Sequence, residues 1–424
     1  MVLNVADEID PVRELYRRYP YPPLESVGAS YAPLGDLEYV RHVFWPGRAS
    51  LGGLRVLEAG CGTGTTAVQM ACAYPEVEVT AIDISETSLG LARQLARDRG
   101  AGPNLTFRLA RIEDMEDVDG RGYDYIVSSG VLHHLADPLV GTQRLVGLLS
   151  PTGGLGVMLY ATYGRHAIYV VQDLFRRLTA GEPLERQVEV ARQVLPQLPA
   201  CNPFTSANLV DHTWSDDAGL VDLLLHPRDV SYTVPKILSL IRDSGLRLER
   251  FFGHPRYRPE TYLHDEATRA RLAALSDYDR YIIAELLHGA MSKHTFFATR
   301  REHRPIRLPT RGIALLLQRP WRSPLMRWPD WLPPGVGTDR ARPAIVGAVT
   351  IEDLPTDVLV RRFDLDGWNL DVAYACNGLR TATQIFDLPA IQGAIPGSDR
   401  DEKLQAFGGF LEELAHHELM LFEP

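Results

Sequence analysis

Apolar residues come in short runs separated by longer stretches of helical spacing. Leu54, Val56 and Leu57, then residues 77–82, 105–110, 123–130, 155–160, 246–252 and 294–300, read as seven buried strands. Between them, residues 65–73, 86–99, 139–149, 233–244 and 266–290 place apolar side chains at a helical period, as in Leu89, Ala92, Leu95 and Ala96. Strands alternating with helices predict an α/β fold: a doubly wound, seven-stranded Rossmann-like sheet covered on both faces. Gly245 closes the 233–244 helix as a C-cap, and residues 150–154 read as a turn before the fifth strand. Upstream, residues 8–23 predict a helix that Pro20 and Pro22 stop, and residues 35–50 a short helix and turn.

Two stretches break this rhythm. Residues 161–227 form an insertion after the fifth strand, with amphipathic spacing over 166–179 and 184–196 and a polar stretch at 208–217 that is not a core pattern. Residues 302–340 hold seven prolines, seven arginines against three acids, and Trp321, Trp328 and Trp331. That proline content opposes regular structure and predicts a linker that wraps on a surface and buries its tryptophans, with a peptide- or lipid-binding strap as the alternative. Residues 341–424 carry their own apolar pattern: a strand near Val349 and Ile351, a helix capped by Thr381, a further helix over 407–416 and a short strand over 419–422. The predicted organisation is a helical and aromatic cap at 1–50, a core at 51–301 with its insertion as a helical lid, the linker, and a small α+β domain at 341–424.

Composition narrows the class. A chain of 424 residues has room for two domains. No run of 18 apolar residues occurs, so no membrane helix is expected, and the acidic start lacks a signal-peptide layout. Cys61, Cys72, Cys201 and Cys376 are too scattered for a zinc pattern or a disulfide framework, which fits a reducing cytoplasm. A net charge of −10 argues against a nucleic-acid partner.

The chemistry concentrates after the first strand, at Glu58-Ala-Gly60-Cys61-Gly62-Thr-Gly64. Glycines let the backbone turn sharply and let a ligand come close, and the following helix start offers free N–H groups. Asp83 ends the second strand about 20 residues on, where ribose-binding acids sit in doubly wound folds. A loose dinucleotide pattern is present too, but the carboxylate of Glu58 would repel a pyrophosphate. The run resembles the acid-x-G-x-G-x-G signature of class I S-adenosylmethionine (SAM)-dependent methyltransferases. A second stretch, Tyr123-Asp-Tyr-Ile-Val-Ser-Ser-Gly-Val-Leu-His133-His134-Leu, is similar to the fourth-strand motif of the same family, at the right distance from the first.

That resemblance covers about residues 1–301 and implies SAM as cofactor, methyl transfer as activity, and a seventh strand inserted antiparallel between the fifth and sixth. It implies cofactor contacts from Glu58, Gly60, Cys61, Gly62, Gly64, Asp83, Ile84, Ser128 and Ser129, and from Tyr16 and Tyr21 in an aromatic segment folded over SAM; packing against the first helix is the other reading of that segment. The adenine-contacting turn commonly opens with an acid, whereas here Arg111 stands there, with Ile112 and Glu113 as substitutes. His133 or His134 offers a general base, since histidine titrates near neutral pH, and Tyr160 is a further catalytic candidate. The plainer account of the histidines carries more weight: one packs in a helix start and the other caps it, since the pair recurs in relatives with unrelated substrates. The insertion, as a lid, implies acceptor contacts from Tyr163, Arg165, Asp211, His212, Trp214, His226 and Tyr232. No metal is expected. The acceptor, a peptide, protein or small metabolite with an O, N or S nucleophile, is not specified, and a SAM-binding regulatory protein without transfer activity is the rival. The tail resembles winged-helix and PqqD-like peptide-binding modules; with 14 acids against 6 basic residues it predicts recruitment of a basic peptide or protein, or a homodimer contact.

Overall fold

A computed structural model describes residues 10–23, 33–117, 120–206, 216–301, 319–322, 349–352, 362–365, 367–376, 380–416 and 420–423. These residues fall in two compact units, drawn from Met1–Leu37, Leu51–Phe252 and Asp265–His303, and from Glu38–Ser50, Gly253–His264 and Arg304–Pro424.

The first unit is built on seven strands: β1 (Arg55–Ala59), β2 (Glu78–Asp83), β3 (Leu105–Leu109), β4 (Tyr123–Ser129), β5 (Leu149–Tyr160), β6 (Leu246–Phe251) and β7 (Lys293–Arg300). Their order is β3-β2-β1-β4-β5-β7-β6. The first five are parallel; β7 runs antiparallel between β5 and β6, pairing Val157 with Phe296 and Leu248 with Ala298. β1 is an interior strand, and Val56, Leu57 and Ala59 are wholly buried, as a strand covered on both faces requires. Edge strand β3 instead has only half-buried and exposed positions. The helices Thr65–Ala73, Glu86–Asp98, Pro138–Leu148 and Val234–Asp243 lie near their predicted places. Side-chain caps set two starts: Ser85 accepts from the Ser88 N–H, and Asp137 from those of Leu139 and Val140.

Four boundaries differ from expectation. The first helix is Pro11–Arg18, shorter than 8–23, because Asp10 caps it and Pro20 forbids its extension. The predicted 150–154 turn is absorbed into β5, which starts at Leu149 and accommodates the extra residues as an irregularity opposite Tyr123 and Tyr125. The 266–290 helix is two, Glu266–Ala273 and Asp277–His288, because Ser276 caps a fresh start. Residues 319–322 of the proline-rich segment form a strand, antiparallel to Met420–Glu423.

The insertion makes its own core. Its helices His166–Leu178, Leu184–Val194 and Asp217–Leu224 enclose Ile168, Val171, Phe175, Ala191, Leu220 and Leu224. Leu15 of the first helix is buried in the same cluster, with Tyr16 and Tyr19 packed against it. One apolar core thus joins the N-terminal helix to the insertion. Asp211, His212 and Trp214 lie outside the described residues.

In the second unit, Val349–Glu352 pairs antiparallel with Arg362–Leu365, followed by helices Gly367–Ala375, Ala382–Phe386, Pro389–Ala394 and Arg400–His416. Thr381 and Gln384 form a reciprocal capping box. Phe386, Phe407, Ile385 and Leu411 are its buried centre. One ribbon precedes the helices, and the strand after them, Met420–Glu423, pairs back to Arg319–Arg322, so these elements do not establish a winged helix.

Phe175 is 1% exposed at the middle of the insertion core. Phe175→Ala should cost about 3–5 kcal/mol, read as an earlier urea transition of the first unit; a change under 1 kcal/mol would mean that the insertion is not packed as described.

Candidate active site

The carboxyl ends of β1, β2, β4 and β5 converge on a cleft of about 920 Å³, within the usual range for a small-molecule or cofactor site. This is where ligands of open α/β sheets bind. Two distinct environments line it.

The first is the glycine loop. Gly60, Gly62 and Gly64 all have positive φ, which non-glycine residues rarely adopt. A Cβ on Gly62 would lie 2.6 Å from the Tyr21 carbonyl oxygen, and one on Gly60 2.4 Å from Val131. Gly64 serves packing instead: it lies against Ala92 and does not line the cleft. Asp83 pins the loop, its two oxygens accepting the Gly62 and Ser85 N–H groups at 2.8 Å each. Burial pushes the Asp83 carboxyl up, against those donors. Glu58 is buried, and its carboxyl accepts from the Ala67 N–H and the Thr66 hydroxyl at the helix start. Burial dominates, with the charge of Asp83 adding to it, and Glu58 is raised to about 8. Its Oε2 has no partner. An unpartnered, buried carboxylate oxygen beside a helix N-terminus suits a ligand carrying a cationic group at that point, as SAM does.

The N-terminal segment roofs the loop. Thr63 donates to the Pro22 carbonyl at 2.8 Å, and Ser85 to that of Tyr16 at 3.2 Å. Tyr16 and Tyr21 line the cleft, while Tyr19 packs on the insertion core. Cys61, Ile84 and Ser129 line it as well; Ser128 does not, since its hydroxyl donates to the Ala59 carbonyl within the sheet. Burial pushes the Cys61 thiol well up. At the adenine-type end, Ile112 is 3% exposed and Glu113 lines the cleft. Arg111 reaches it from a half-exposed position and faces Glu113, Asp114 and Asp10 at 3.5–3.9 Å.

The second environment is polar and buried, and the insertion brings it together. The segment that leaves the insertion, 228–232, runs beside the tips of β4 and β5: the Val230 N–H donates to the His133 carbonyl and that of Tyr232 to the Tyr160 carbonyl. This places Asp222, His226, Arg228 and Asp229 around His134 and Tyr160. Tyr16 donates to Asp222 at 2.8 Å. Arg165 lies 3.5 Å over the Tyr160 ring and 3.4 Å from Asp229, which also accepts from Gln172 at 2.9 Å. His134 and Tyr160 line the cleft; His133 is buried behind them, its ring 4.3 Å from that of Tyr160. Neither histidine caps the following helix, a role Asp137 fills. Tyr163 is 41% exposed, and Tyr232 is buried behind the strand tips; neither lines the cleft. Among the described residues His133, His134 and Asp229 are the one set of metal-ligand-type atoms that lie within 4.8 Å of each other. A dication there would face the Arg165 guanidinium, and no metal is assigned.

Asp222 and Arg228 went unpredicted. The signal was present for Asp222, a lone acid in the apolar run Leu220-Val-Asp-Leu-Leu224, since a charge on an apolar helix face needs a partner.

Comparison with known proteins follows the same lines. Residues 51–193 match the family described as a methyltransferase domain. An uncharacterized protein of Synechococcus is 31% identical over 300 residues, 68% of this chain and 71% of that one. A malonyl-[acyl-carrier protein] O-methyltransferase of Bacillus cytotoxicus is 29% identical over 141 residues, 33% of this chain and 46% of its own length. The chain thus spans about half of that named relative. Among solved structures, PKMT2 of Rickettsia typhi superposes with a TM-score of 0.65 at 16% identity, over 95% of this chain and 78% of that one. The same protein in complex with AdoHcy gives 0.62. Fold and glycine-loop cleft define a SAM-binding α/β protein. Residues 51–193 belong to the methyltransferase domain family, on a seven-stranded sheet of the class I SAM-dependent type, and the glycine-loop cleft fits SAM as the cofactor.

Two outcomes follow for binding. Asp83→Ala should weaken S-adenosylhomocysteine binding at least tenfold in calorimetry, since a hydrogen bond to a charged group contributes about 1.5–3 kcal/mol; unchanged affinity would remove Asp83 from the site. A Glu58 carboxyl that holds its proton to about 8 must release it to meet a cationic ligand. Binding should therefore tighten as pH rises from about 6 toward 8, with net proton release, and Glu58→Gln should abolish the dependence.

Proposed function

We propose that the chain transfers the SAM methyl group to an O, N or S nucleophile of an acceptor held at the inner, polar end of the cleft. When bound, SAM supplies a methyl group made electrophilic by its sulfonium. The work of the protein is alignment: methyl transfer is an in-line displacement, which gains most from holding nucleophile and methyl group in register. Glu58 and Asp83 fix the cofactor end. Tyr21 and Pro22 close over the glycine loop and limit water there. Tyr16 spans both ends, its carbonyl tied to Ser85 beside Asp83 and its hydroxyl to Asp222.

The observation that carries the reading is the second environment. A protein that only binds SAM needs the glycine loop, but not a buried set of Asp222, His134, Tyr160 and His226 beyond it. Such groups are costly to bury and cluster at sites of chemistry. This favours transfer over a purely regulatory role. The acid-rich tail supports recruitment of a basic peptide or protein acceptor.

The test is incubation of the full chain with tritiated SAM and a cell extract, fractionated into proteins, peptides and small metabolites. Label is expected in one fraction, absent with Asp83→Ala, and mass spectrometry of that fraction names the acceptor. No label in any fraction, with S-adenosylhomocysteine binding intact, would sink transfer and favour the regulatory alternative. Recruitment by the tail predicts labelling of a protein or peptide that falls as salt rises; a labelled metabolite, or salt-independent labelling, would remove it.

A further inference from the structure

The three histidines of the inner cluster are not equivalent. His134 places Nδ1 2.6 Å from the Arg228 carbonyl oxygen. A carbonyl only accepts, so Nδ1 carries the proton and Nε2 holds a bare lone pair. That Nε2 is buried without a partner, on a ring that lines the cleft. His226 is set the opposite way: its Nδ1 accepts the Arg228 N–H at 3.1 Å, so its proton sits on Nε2. The two rings stack at 3.7 Å. One residue, Arg228, thus fixes both tautomers through its own N–H and C=O. His133 has no partner on either nitrogen and stays behind the cleft wall.

Resting on the transfer reading above, we infer that His134 Nε2 is the general base that takes the proton from the acceptor nucleophile, with Arg228 and Asp222 of the segment after β5 as its positioning residues. The lone pair accepts the proton of an O–H or N–H nucleophile, the nucleophile's electron pair forms the bond to the methyl carbon, and the C–S pair returns to sulfur. The products are methylated acceptor, S-adenosylhomocysteine and a His134 imidazolium. Groups of both signs face that cation: Asp222, Asp229 and the Arg228 carbonyl favour it and Arg165 opposes it, while its charge lowers His133 and His226; burial pushes the Asp222 carboxyl up, against the Tyr16 donor. Burial lowers all three histidines. His226 falls to about 2, under burial and then the charge of His134. The carboxylates oppose the shift at His134. His134 is therefore the histidine of the three whose bare lone pair sits on a ring that lines the cleft, with carboxylates opposing the burial shift. The sign is fixed by need: the base works unprotonated, so activity should fall only as pH drops below the ordinary histidine value of about 6.5.

The test uses the full chain with ¹⁵N-labelled histidine, loaded with S-adenosylhomocysteine, followed by long-range proton–nitrogen spectra from pH 5 to 8.5. Expected are an Nδ1–H tautomer for His134, an Nε2–H tautomer for His226, no titration of His133, and a His134 midpoint below 6.5. Asp222→Asn should lower that midpoint further, because a favouring charge is gone; a purely structural Asp222 would leave it in place. An Nε2–H tautomer at His134, or a midpoint that Asp222→Asn does not move, overturns the assignment. With the extract fraction that takes up tritium, His134→Gln should lower kcat by at least about a hundredfold and leave S-adenosylhomocysteine affinity within twofold, and imidazole should restore part of the rate of His134→Ala. A His134→Gln chain that binds normally and transfers at the unaltered rate also overturns it. If no fraction takes up label, the transfer reading fails by itself, and the spectra still decide the tautomers and the counter-charge.

Discussion

The hydrogen bond from the Gly62 N–H to Asp83 ties the first two strands together at their carboxyl tips. The Gly60 and Cys61 N–H groups donate to the Ile82 carbonyl just before Asp83, and Asp83 fixes the next step of a loop that three positive-φ glycines leave permissive. Gly62 is held so close beneath Tyr21 that a single methyl group would strike the Tyr21 carbonyl. The loop is therefore the seat of the N-terminal segment as well as the floor of the cofactor cleft. Thr63 and Ser85 add hydrogen bonds to the same segment from either side of Asp83. A carboxylate on β2 fixes a loop after β1, and that loop fixes residues some forty positions earlier in the chain.

Much of this was legible in the sequence because it is local. A strand, its glycine loop and the next helix start are contiguous, so spacing places Glu58, Gly60, Cys61 and Gly62 together at the cleft. The seven strands and the helices between them follow from apolar period, and the antiparallel β7 from resemblance to the family. What could not be read is what depends on distant segments meeting. The pairing of residues 319–322 with 420–423 joins stretches that share no pattern. Arg165 reads in the sequence as an acceptor contact and Asp229 carries no signal; they become a buried ion pair because the segment leaving the insertion docks beside β4 and β5. The histidine pair of the fourth-strand motif was visible, but its difference in role was not. That difference comes from the backbone of Arg228, and a backbone carbonyl has no sequence signature.

The two ends of the cleft obey different physics. At the cofactor end, many polar groups are answered from within the fold, by N–H donors of the loop and helix start, and Glu58 Oε2 and Thr65 Oγ1 are left over. At the inner end, His134 Nε2, His226 Nε2 and Asp229 Oδ1 are all buried without partners. Each such atom costs about 1–3 kcal/mol, so the cluster is a net liability to folding. The liability is offset nearby: the insertion and the first helix share the apolar core around Phe175 and Leu15, and it is the ends of these elements that carry Asp222 and Tyr16 into the cleft.

That arrangement makes the inner site and the insertion core one mechanical object. The hydrogen bond between Tyr16 and Asp222 exists only while the first helix and the Asp217–Leu224 helix stay packed through Leu15, Leu220 and Leu224. Loosening the core would part Tyr16 from Asp222. The charge that favours proton uptake at His134 would then move away, while the Arg228 carbonyl, on the strand-like exit segment paired to His133 and Tyr160, would stay. Tautomer and proton affinity of the same ring thus rest on separate supports, the one on backbone pairing at the sheet edge and the other on side-chain packing in the insertion.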